Sequence, residues 1–429
     1  MVTRTLGLLA LASLGLAEPA QAAEDTRVVS GRLPAREWMD WTLSLDYLHE
    51  KERAVLKREV ESQTTGGGLD RVNDLIYHHS RDVMQLRGEA GLVKDLSLFM
   101  VMSIVVSDQR SLDFDRTDSC LAAVNRCVNQ MNSTTLQDGI LPGYGQSSFG
   151  LDAQNNRPFQ DPSGTVFRGP KRSGFEYLGL GASWAAMNQD RDDTKPTWVL
   201  RLETRFSVAS DMRFDRAAPS KSTGVGLGYH QVILSTVFSR RFGALEPYLG
   251  SSLMLPWATG GSPYAAPGAG GSIQKRFNFQ AGVEATLWKD PQALNRVVYE
   301  LRGQGELRLS GLAQSPMWEA LSGDSRCPKD PTTCRNGVDL DLNKDGAVDQ
   351  ANPGVTRSPS YSLLGGDTGF SVQIAGHTHL RGLFGLFYQQ THDLTDTSSG
   401  NIVYDVPGRR YRVESAYLWR LSLDATVVF

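Results

Sequence analysis

The sequence has 429 residues, 43 glycines and a formal net charge of −3, with 44 basic residues against 47 acidic ones. This near balance argues against a nucleic-acid-binding protein, which would carry an excess of positive charge. The many glycines fit a fold with frequent turns and glycine-containing strands.

Residues 1–22 have the three parts of a secretory signal peptide. A basic start ends at Arg4, residues 6–17 form an apolar run, and Ala20 and Ala22 flank a small-x-small cleavage site. The run is too short to span a bilayer comfortably, so a retained anchor is the less favoured alternative. We therefore predict export across the inner membrane, followed by a short periplasmic lead over residues 23–37.

From residue 38 to residue 429 the chain alternates between apolar and polar side chains, the period of a β-strand. Trp41, Leu43 and Leu45, for example, alternate with Thr42 and Ser44. Many runs last nine or more residues, which fits tilted membrane strands better than the shorter strands of soluble proteins. A soluble β-sandwich also alternates and is the alternative. A β-chain that enters a membrane must close into a barrel to pair its backbone groups.

Predicted links between the strands alternate in length. Short links are predicted at 94–95, 189–196, 240–244, 289–295 and 380–382. Long polar links are predicted at 61–73, 115–171, 214–228, 260–274, 313–359 and 395–410. Outer-membrane barrels have short periplasmic turns and long external loops. Five short and six long links predict about twelve strands, with ten or fourteen as alternatives, and make 115–171 and 313–359 the longest extracellular loops.

The four cysteines, Cys120, Cys127, Cys327 and Cys334, form two local pairs with the same spacing. Neither pair has the C-x-x-C spacing of redox or zinc motifs. Each pair lies in a long link, and disulfides persist in exported proteins. We predict the disulfides Cys120–Cys127 and Cys327–Cys334; free thiols and a crossed pairing are the alternatives.

The last strand carries the most specific motif. Trp419, Leu421 and Leu423 lie on one face with the terminal Phe429, and polar side chains such as Arg420 lie on the other. This segment resembles the closing strand of bacterial outer-membrane β-barrel proteins. The resemblance implies an all-β, transmembrane, antiparallel up-and-down barrel in the outer membrane of a Gram-negative bacterium. It also implies that Phe429 belongs to the signal read by the barrel assembly machinery, and that outer-membrane lipids surround the protein.

An oxygen-rich motif in the fifth long link suggests a calcium site. Asp341, Asn343, Asp345 and Asp349 stand at positions one, three, five and nine around a glycine, an arrangement that suits a hard cation. The segment resembles calcium loops of the EF-hand, dockerin and thrombospondin-repeat kind, which would make these four residues ligands. Position twelve is Asn352 rather than an acidic residue, although Asp339 could substitute. An unliganded polar loop is the alternative.

The predicted inner faces of the strands carry charges of both signs, often two residues apart. They are Arg87, Glu89, Arg201, Glu203, Arg205, Glu284, Glu300, Arg302, Glu306 and Arg308. These charges could line a channel and tune its selectivity. They could also form an interior network that closes the barrel, since opposite charges pair across strands.

No nucleophile, metalloprotease, phosphate-loop or dinucleotide motif is present, so we expect no enzyme and no cofactor other than Ca²⁺. His377, His379 and His392 are the residues on which a hydrolase would have to rely. The favoured function is a passive pore or uptake channel for small polar solutes. A closed barrel acting as a surface-binding scaffold is second, and an outer-membrane hydrolase is third.

Overall fold

The alternating sequence folds into long antiparallel strands joined by turns and longer links. The computed structural model describes residues 40–61, 68–93, 95–115, 128, 133–137, 140, 165–214, 224–265, 271–322, 354–395, 405 and 407–429. Its strands are β1 (Trp41–Glu61), β2 (Leu69–Val93), β3 (Leu96–Phe114), β4 (Thr165–Arg168), β5 (Arg172–Met187), β6 (Thr197–Ser207), β7 (Tyr229–Ser239), β8 (Leu245–Ala258), β9 (Arg276–Asp290), β10 (Asn295–Arg308), β11 (Gly311–Ala313), β12 (Thr356–Ser358), β13 (Tyr361–Ile374), β14 (Thr378–Gln389), β15 (His392–Asp393) and β16 (Tyr411–Val428). Its short helices are α1 (Thr134–Gln137), a single 3₁₀ turn (Pro263–Ala265) and α2 (Trp318–Leu321).

Twelve of the strands form one closed barrel. Each pairs antiparallel with its neighbour in the order β1-β2-β3-β5-β6-β7-β8-β9-β10-β13-β14-β16, and β16 pairs back with β1. The short strands β4 and β15 extend the sheet beside β3 and β16, while β11 and β12 form a separate two-stranded sheet. The predicted fold class, an antiparallel barrel of twelve strands, is confirmed.

The short and long links lie at opposite ends of this barrel. The barrel begins and ends at the short-link end, where the Phe429 amide donates to the Trp41 carbonyl at 2.8 Å. The short links on that side are 94–95, 188–196, 240–244, 291–294 and 375–377. The long links on the other side are 62–68, 115–171, 208–228, 259–275, 309–360 and 390–410. We refer to these ends as periplasmic and external.

The last short link differs from the prediction of 380–382. The chain turns at 375–377, where Ala375 and Gly376 have φ angles of 51° and 75°. Gly382 lies inside β14 and pairs with Phe370 of β13. A glycine within a strand was mistaken for a turn, because glycine marks both features in a sequence.

The two faces of the barrel wall have opposite chemistry. Large apolar side chains such as Leu45, Leu202 and Leu301 are exposed on the outer face, and Leu301 keeps 53% of its surface accessible. Its neighbour Glu300 points inward and is 3% exposed. A soluble sandwich would bury the apolar face, whereas a membrane barrel turns it toward lipid. The chain is therefore a transmembrane barrel.

Exposed aromatic side chains mark the two edges of the apolar band. Trp41, Trp184, Trp198 and Trp288 lie toward the periplasmic end, and Phe175, Phe206, Trp257, Tyr388 and Tyr417 lie toward the external end. On β1 the band runs from Trp41 to about Lys51, which for a strand tilted by about 40° corresponds to roughly 25 Å along the barrel axis. Beyond it, β1, β2 and β3 continue outward, since they are 21, 25 and 19 residues long.

Several predicted features lie outside the described residues. These are the signal peptide and periplasmic lead, the cysteines Cys120, Cys127, Cys327 and Cys334, and the calcium-loop residues Asp341, Asn343, Asp345 and Asp349. Among the described residues, no helix is both long and apolar enough to cross a membrane.

Candidate channel lumen

The structure places all ten charged side chains predicted for the lumen on the inner wall. They alternate along their strands with the exposed apolar residues of the outer face. Three pairs join neighbours two residues apart: Arg87 with Glu89 at 2.8 Å, Arg205 with Glu203 at 2.6 Å, and Arg308 with Glu306. Glu284 and Glu300 lie directly opposite each other in the pairing of β9 and β10.

Asp367 links three strands on one side of the lumen. Its carboxylate accepts hydrogen bonds from Arg302 Nε at 3.2 Å and from Arg420 Nε and Nη2, both at 2.9 Å. The Asp367 side chain is only 1% exposed, so it needs these charged partners. Gly385, on the strand between β13 and β16, leaves the space: a Cβ at that position would overlap Asp367 Oδ1.

Glu300 forms a second cluster nearer the periplasmic end. Its Oε2 accepts from Arg381 Nε at 2.9 Å, and its Oε2 and Oε1 accept from Arg381 Nη2 at 2.6 and 2.7 Å; Oε1 also accepts from the hydroxyl of Tyr248. The contacts connect β8, β10 and β14. Together, the Asp367 and Glu300 clusters connect β8, β10, β13, β14 and β16 on the inner wall with charge-assisted hydrogen bonds.

Three cavities lie at successive levels along β10. The external cavity, about 160 Å³, is lined by Arg308 and by charged residues of β2, β3 and β5. The central chamber, about 640 Å³, is lined by Arg302, Gln304 and Glu306 on β10. The periplasmic vestibule, about 630 Å³, includes Arg296 at the start of β10.

The central chamber crosses the lumen, because its lining comes from both sides of the barrel. The polar and charged members are Gln85, Arg201, Arg205, Ser235, Ser251, Ser252, Asn278, Gln280, Arg302, Gln304, Glu306 and Arg420. Leu363 and Phe387 add apolar surface. A space of this size is in the range of small-molecule sites, which span about 300–1,000 Å³.

A segment of the fifth long link enters the external end of the barrel. Helix α2 and the preceding Met317 are buried, with Trp318 1% exposed. Glu319 is ion-paired with Arg172, and its Oε1 lies 3.9 Å from Arg110 Nη1. The Trp318 ring lies 5.3 Å from the Arg172 guanidinium and 5.6 Å from that of Arg110. We call residues 317–321 the plug.

The plug belongs to an apolar core inside the external end of the barrel. Strand residues supply its wall, including Leu56, Leu75, Leu112 and Val413. Other long links contribute Val128, Ile140, Val166, Phe167, Met212, Phe214 and Leu394. This core occupies part of the cross-section that would otherwise be open, so the space inside the external end is narrow.

Several important inner residues were absent from the predicted set. Arg381 fell within a wrongly predicted turn, and Asp367 lies in the glycine-rich β13, whose faces look mixed in the sequence. Arg420 was assigned to the polar face of the last strand, but that face was not recognised as part of the lumen. Arg110 and Glu319 are brought together only by the folding of a long link, for which the sequence offers no periodic signal.

The structure does not assemble the three candidate histidines into one site. His377 lies in the last periplasmic turn and His379 on the adjoining inner wall. His392 lies at the external end, where its ring stacks on Tyr361 with centroids 3.7 Å apart. Burial lowers the pKa of His392 to about 4, so this ring is neutral at neutral pH. Within the described residues, no group of three or more His, Cys, Asp or Glu could hold a metal ion.

The closed barrel, its apolar outer band and its charged inner wall define the class: this chain is an outer-membrane β-barrel protein. No family model matches the sequence, and the search of curated proteins found no relative. Solved structures with a similar fold include an outer membrane channel from Pseudomonas putida F1, with 8% identity, a TM-score of 0.41, and coverage of 92% of this chain and 99% of that one.

Two further similar structures are a FadL homologue from Pseudomonas aeruginosa and the translocator domain of the autotransporter NalP from Neisseria meningitidis. The first has 8% identity, a TM-score of 0.35, and coverage of 91% of this chain and 90% of that one. The second has 6% identity, a TM-score of 0.34, and coverage of 93% of this chain and 91% of that one. Values this low do not transfer a function.

Proposed function

We propose that this barrel is a passive channel for small polar solutes. The observation that carries the proposal is the series of three cavities at successive levels of the lumen. A barrel that served only as a scaffold would have no need of a large polar chamber at mid-height. Polar and charged walls favour hydrated solutes and disfavour apolar ones.

The external end sets the size limit in this proposal. The plug and its apolar core narrow the entrance, whereas the central chamber and the periplasmic vestibule are each about four times larger than the external cavity. The narrow part of the route therefore lies beside Arg110 and Trp318. We expect small unit conductances rather than those of a wide general pore.

We infer no catalytic role. A general base must lie within hydrogen-bond reach of its nucleophile, and the three candidate histidines do not form one site, since His377 and His379 lie at the periplasmic end and His392 at the external end.

The second candidate is a surface-binding scaffold, favoured by the apolar core at the external end. Such a core orders parts of the long links, and ordered links can bind a partner.

The test is single-channel conductance of the refolded protein in a planar bilayer, with folding confirmed by shifted gel mobility. Stable steps support the channel, and Trp318→Ala should raise the unit conductance by removing a side chain from the narrow end. Trp419→Ala is the matched control, because Trp419 faces outward. A silent bilayer with folded protein refutes the channel and favours the scaffold.

A further inference from the structure

The central chamber has an excess of basic residues over acidic ones. Four arginines, Arg201, Arg205, Arg302 and Arg420, line it with a single carboxylate, Glu306. That carboxylate is held by Arg308. The periplasmic vestibule is balanced, with Arg241, Lys289 and Arg296 against Glu246, Glu284 and Asp290. When the ion-pair partners Arg308, Glu203 and Asp367 are included, five arginines stand against three carboxylates, so the lumen keeps an excess of positive charge at mid-height.

Two of these arginines are held in fixed orientations. Arg205 donates from Nε and Nη2 to Glu203, and its guanidinium lies 4.7 Å from the Tyr177 ring centroid. Arg420 donates from Nε and Nη2 to Asp367 and from Nη2 to Gln304, and it lies 4.4 Å from the Phe387 ring centroid. Ion pairs and aromatic rings of this kind orient a guanidinium before any ligand arrives.

Both arginines keep donors that the protein does not use. Among the described residues, neither Arg205 Nη1 nor Arg420 Nη1 has a hydrogen-bond acceptor. The two side chains are 27% and 22% exposed, and both line the chamber. A carboxylate in the chamber would supply the missing acceptors, and charge-assisted hydrogen bonds of this type are the stronger ones.

We propose that the central chamber is a binding site for small organic dianions, in particular short dicarboxylates, with Arg205 and Arg420 as the principal donors. This inference deepens the proposed function, since it names the class of solute. Arg205 lies on β6 and Arg420 on β16, and both line the same chamber, so a solute with two carboxylates would have one arginine for each of them. The amides of Gln85 and Asn278 and the apolar side chains of Leu363 and Phe387 suit the polar ends and the methylene chain of such a solute.

The binding test uses calorimetry on the refolded protein in detergent at low ionic strength and neutral pH. Glutarate is the probe, and pentanediol and cadaverine are the neutral and cationic molecules of the same length. We expect glutarate alone to bind. Arg205→Gln and Arg420→Gln should each weaken binding by about tenfold or more, because each removes charge-assisted hydrogen bonds.

Arg87→Gln is the matched control, since Arg87 is also on the inner wall but does not line the chamber. It should leave the affinity unchanged. Two independent variants protect the test against misfolding of one of them, and gel mobility identifies a misfolded sample. Equal binding of all three probes, or equal affinity in all the variants, overturns the proposed site.

Bilayer recordings separate this inference from the proposed channel. In a tenfold KCl gradient the reversal potential should indicate anion selectivity, and glutarate should reduce the chloride current. Steady conductance with cation selectivity and no effect of glutarate overturns the dianion site and leaves the channel in place. A silent bilayer together with calorimetric binding refutes the channel and supports the site.

Discussion

The ion pair between Glu319 and Arg172 should control whether the plug stays in the barrel. Both side chains are almost fully buried, with 3% and 0% exposed. Removing one partner of a buried pair leaves a buried charge and typically costs about 3–5 kcal/mol. Glu319→Ala should therefore make local opening of the plug roughly two to four orders of magnitude more frequent, at about 1.4 kcal/mol per tenfold change.

Hydrogen exchange measures this opening directly. The Leu321 and Ser322 amides donate to the Met317 and Trp318 carbonyls at 2.9 and 2.8 Å, so their exchange reports on helix α2. Arg172→Met should accelerate exchange as Glu319→Ala does. The double variant Arg172→Met/Glu319→Ala should be closer to wild type than either single variant, because it removes both charges and leaves neither of them buried without its partner.

The inner-wall pair Arg87–Glu89 provides the control. The Arg87 side chain is 25% exposed, and pairs that water can reach contribute little, so Arg87→Met should not alter exchange in the plug. Unchanged exchange in Glu319→Ala would refute the reasoning. The reasoning would also be refuted if the changes in exchange of the two single variants added up in the double variant, because the two charges would then act independently.

Three further predictions concern other parts of the barrel. Gly385→Ala should displace Asp367 and lower the free energy of unfolding by about 1–3 kcal/mol. Gly382→Ala is the control and should change little, because its Cβ would meet its nearest neighbour at 3.4 Å. Equal denaturation midpoints for the two variants would contradict the role of Gly385. Because the pKa of His392 is lowered to about 4, its contribution to stability is complete above about pH 6.5 and is lost as the pH falls toward 4, by up to about 3 kcal/mol. Amide hydrogen exchange at residues 390–395 should rise over that pH range in the wild type but not in His392→Phe. Calcium should bind the refolded protein and bind at least about tenfold more weakly after Asp345→Ala; calorimetry without a calcium signal would contradict the proposed loop.

The sequence was sufficient to predict the barrel wall. Alternation is a local property that requires no knowledge of distant contacts, so the inner placement of Arg201, Glu300 and Arg302 could be deduced from their immediate neighbours. The turn at 240–244 was predicted at the bounds that the structure has. Because short and long links alternate and the barrel begins and ends at the short-link end, the number of strands had to be even.

Local irregularities limited the prediction. At Ser415 the φ angle is 48°, and the bulge there places both Val413 and Ala416 on the inner face although they are three residues apart. At Glu176 a similar shift in the pairing of β3 with β5 turns an extra carboxylate inward, where it accepts from Ser103 at 2.9 Å. A strict period of two assigns such residues to the wrong face.

Contacts across the lumen were beyond the reach of a pattern argument. Arg420 and Gln304 are separated by 116 positions and meet at 2.6 Å only because β10 and β16 curve around the same interior. That curvature depends on strand number and stagger, which no single strand encodes.

The chemical character of the side chains inside this barrel changes along its axis. Toward the periplasm the inner wall carries arginines and carboxylates around two cavities, and such groups remain favourable where water reaches them. At the external end the inner wall also carries apolar side chains, such as Leu56, Leu75 and Val413, which pack against the plug and other link residues beside the charged lining of the external cavity. These apolar side chains do not face lipid, so what they stabilise is the packing of those described link residues that contact them. In the channel that we propose, control of entry would therefore lie at the external end, and discrimination among solutes in the charged chamber below it.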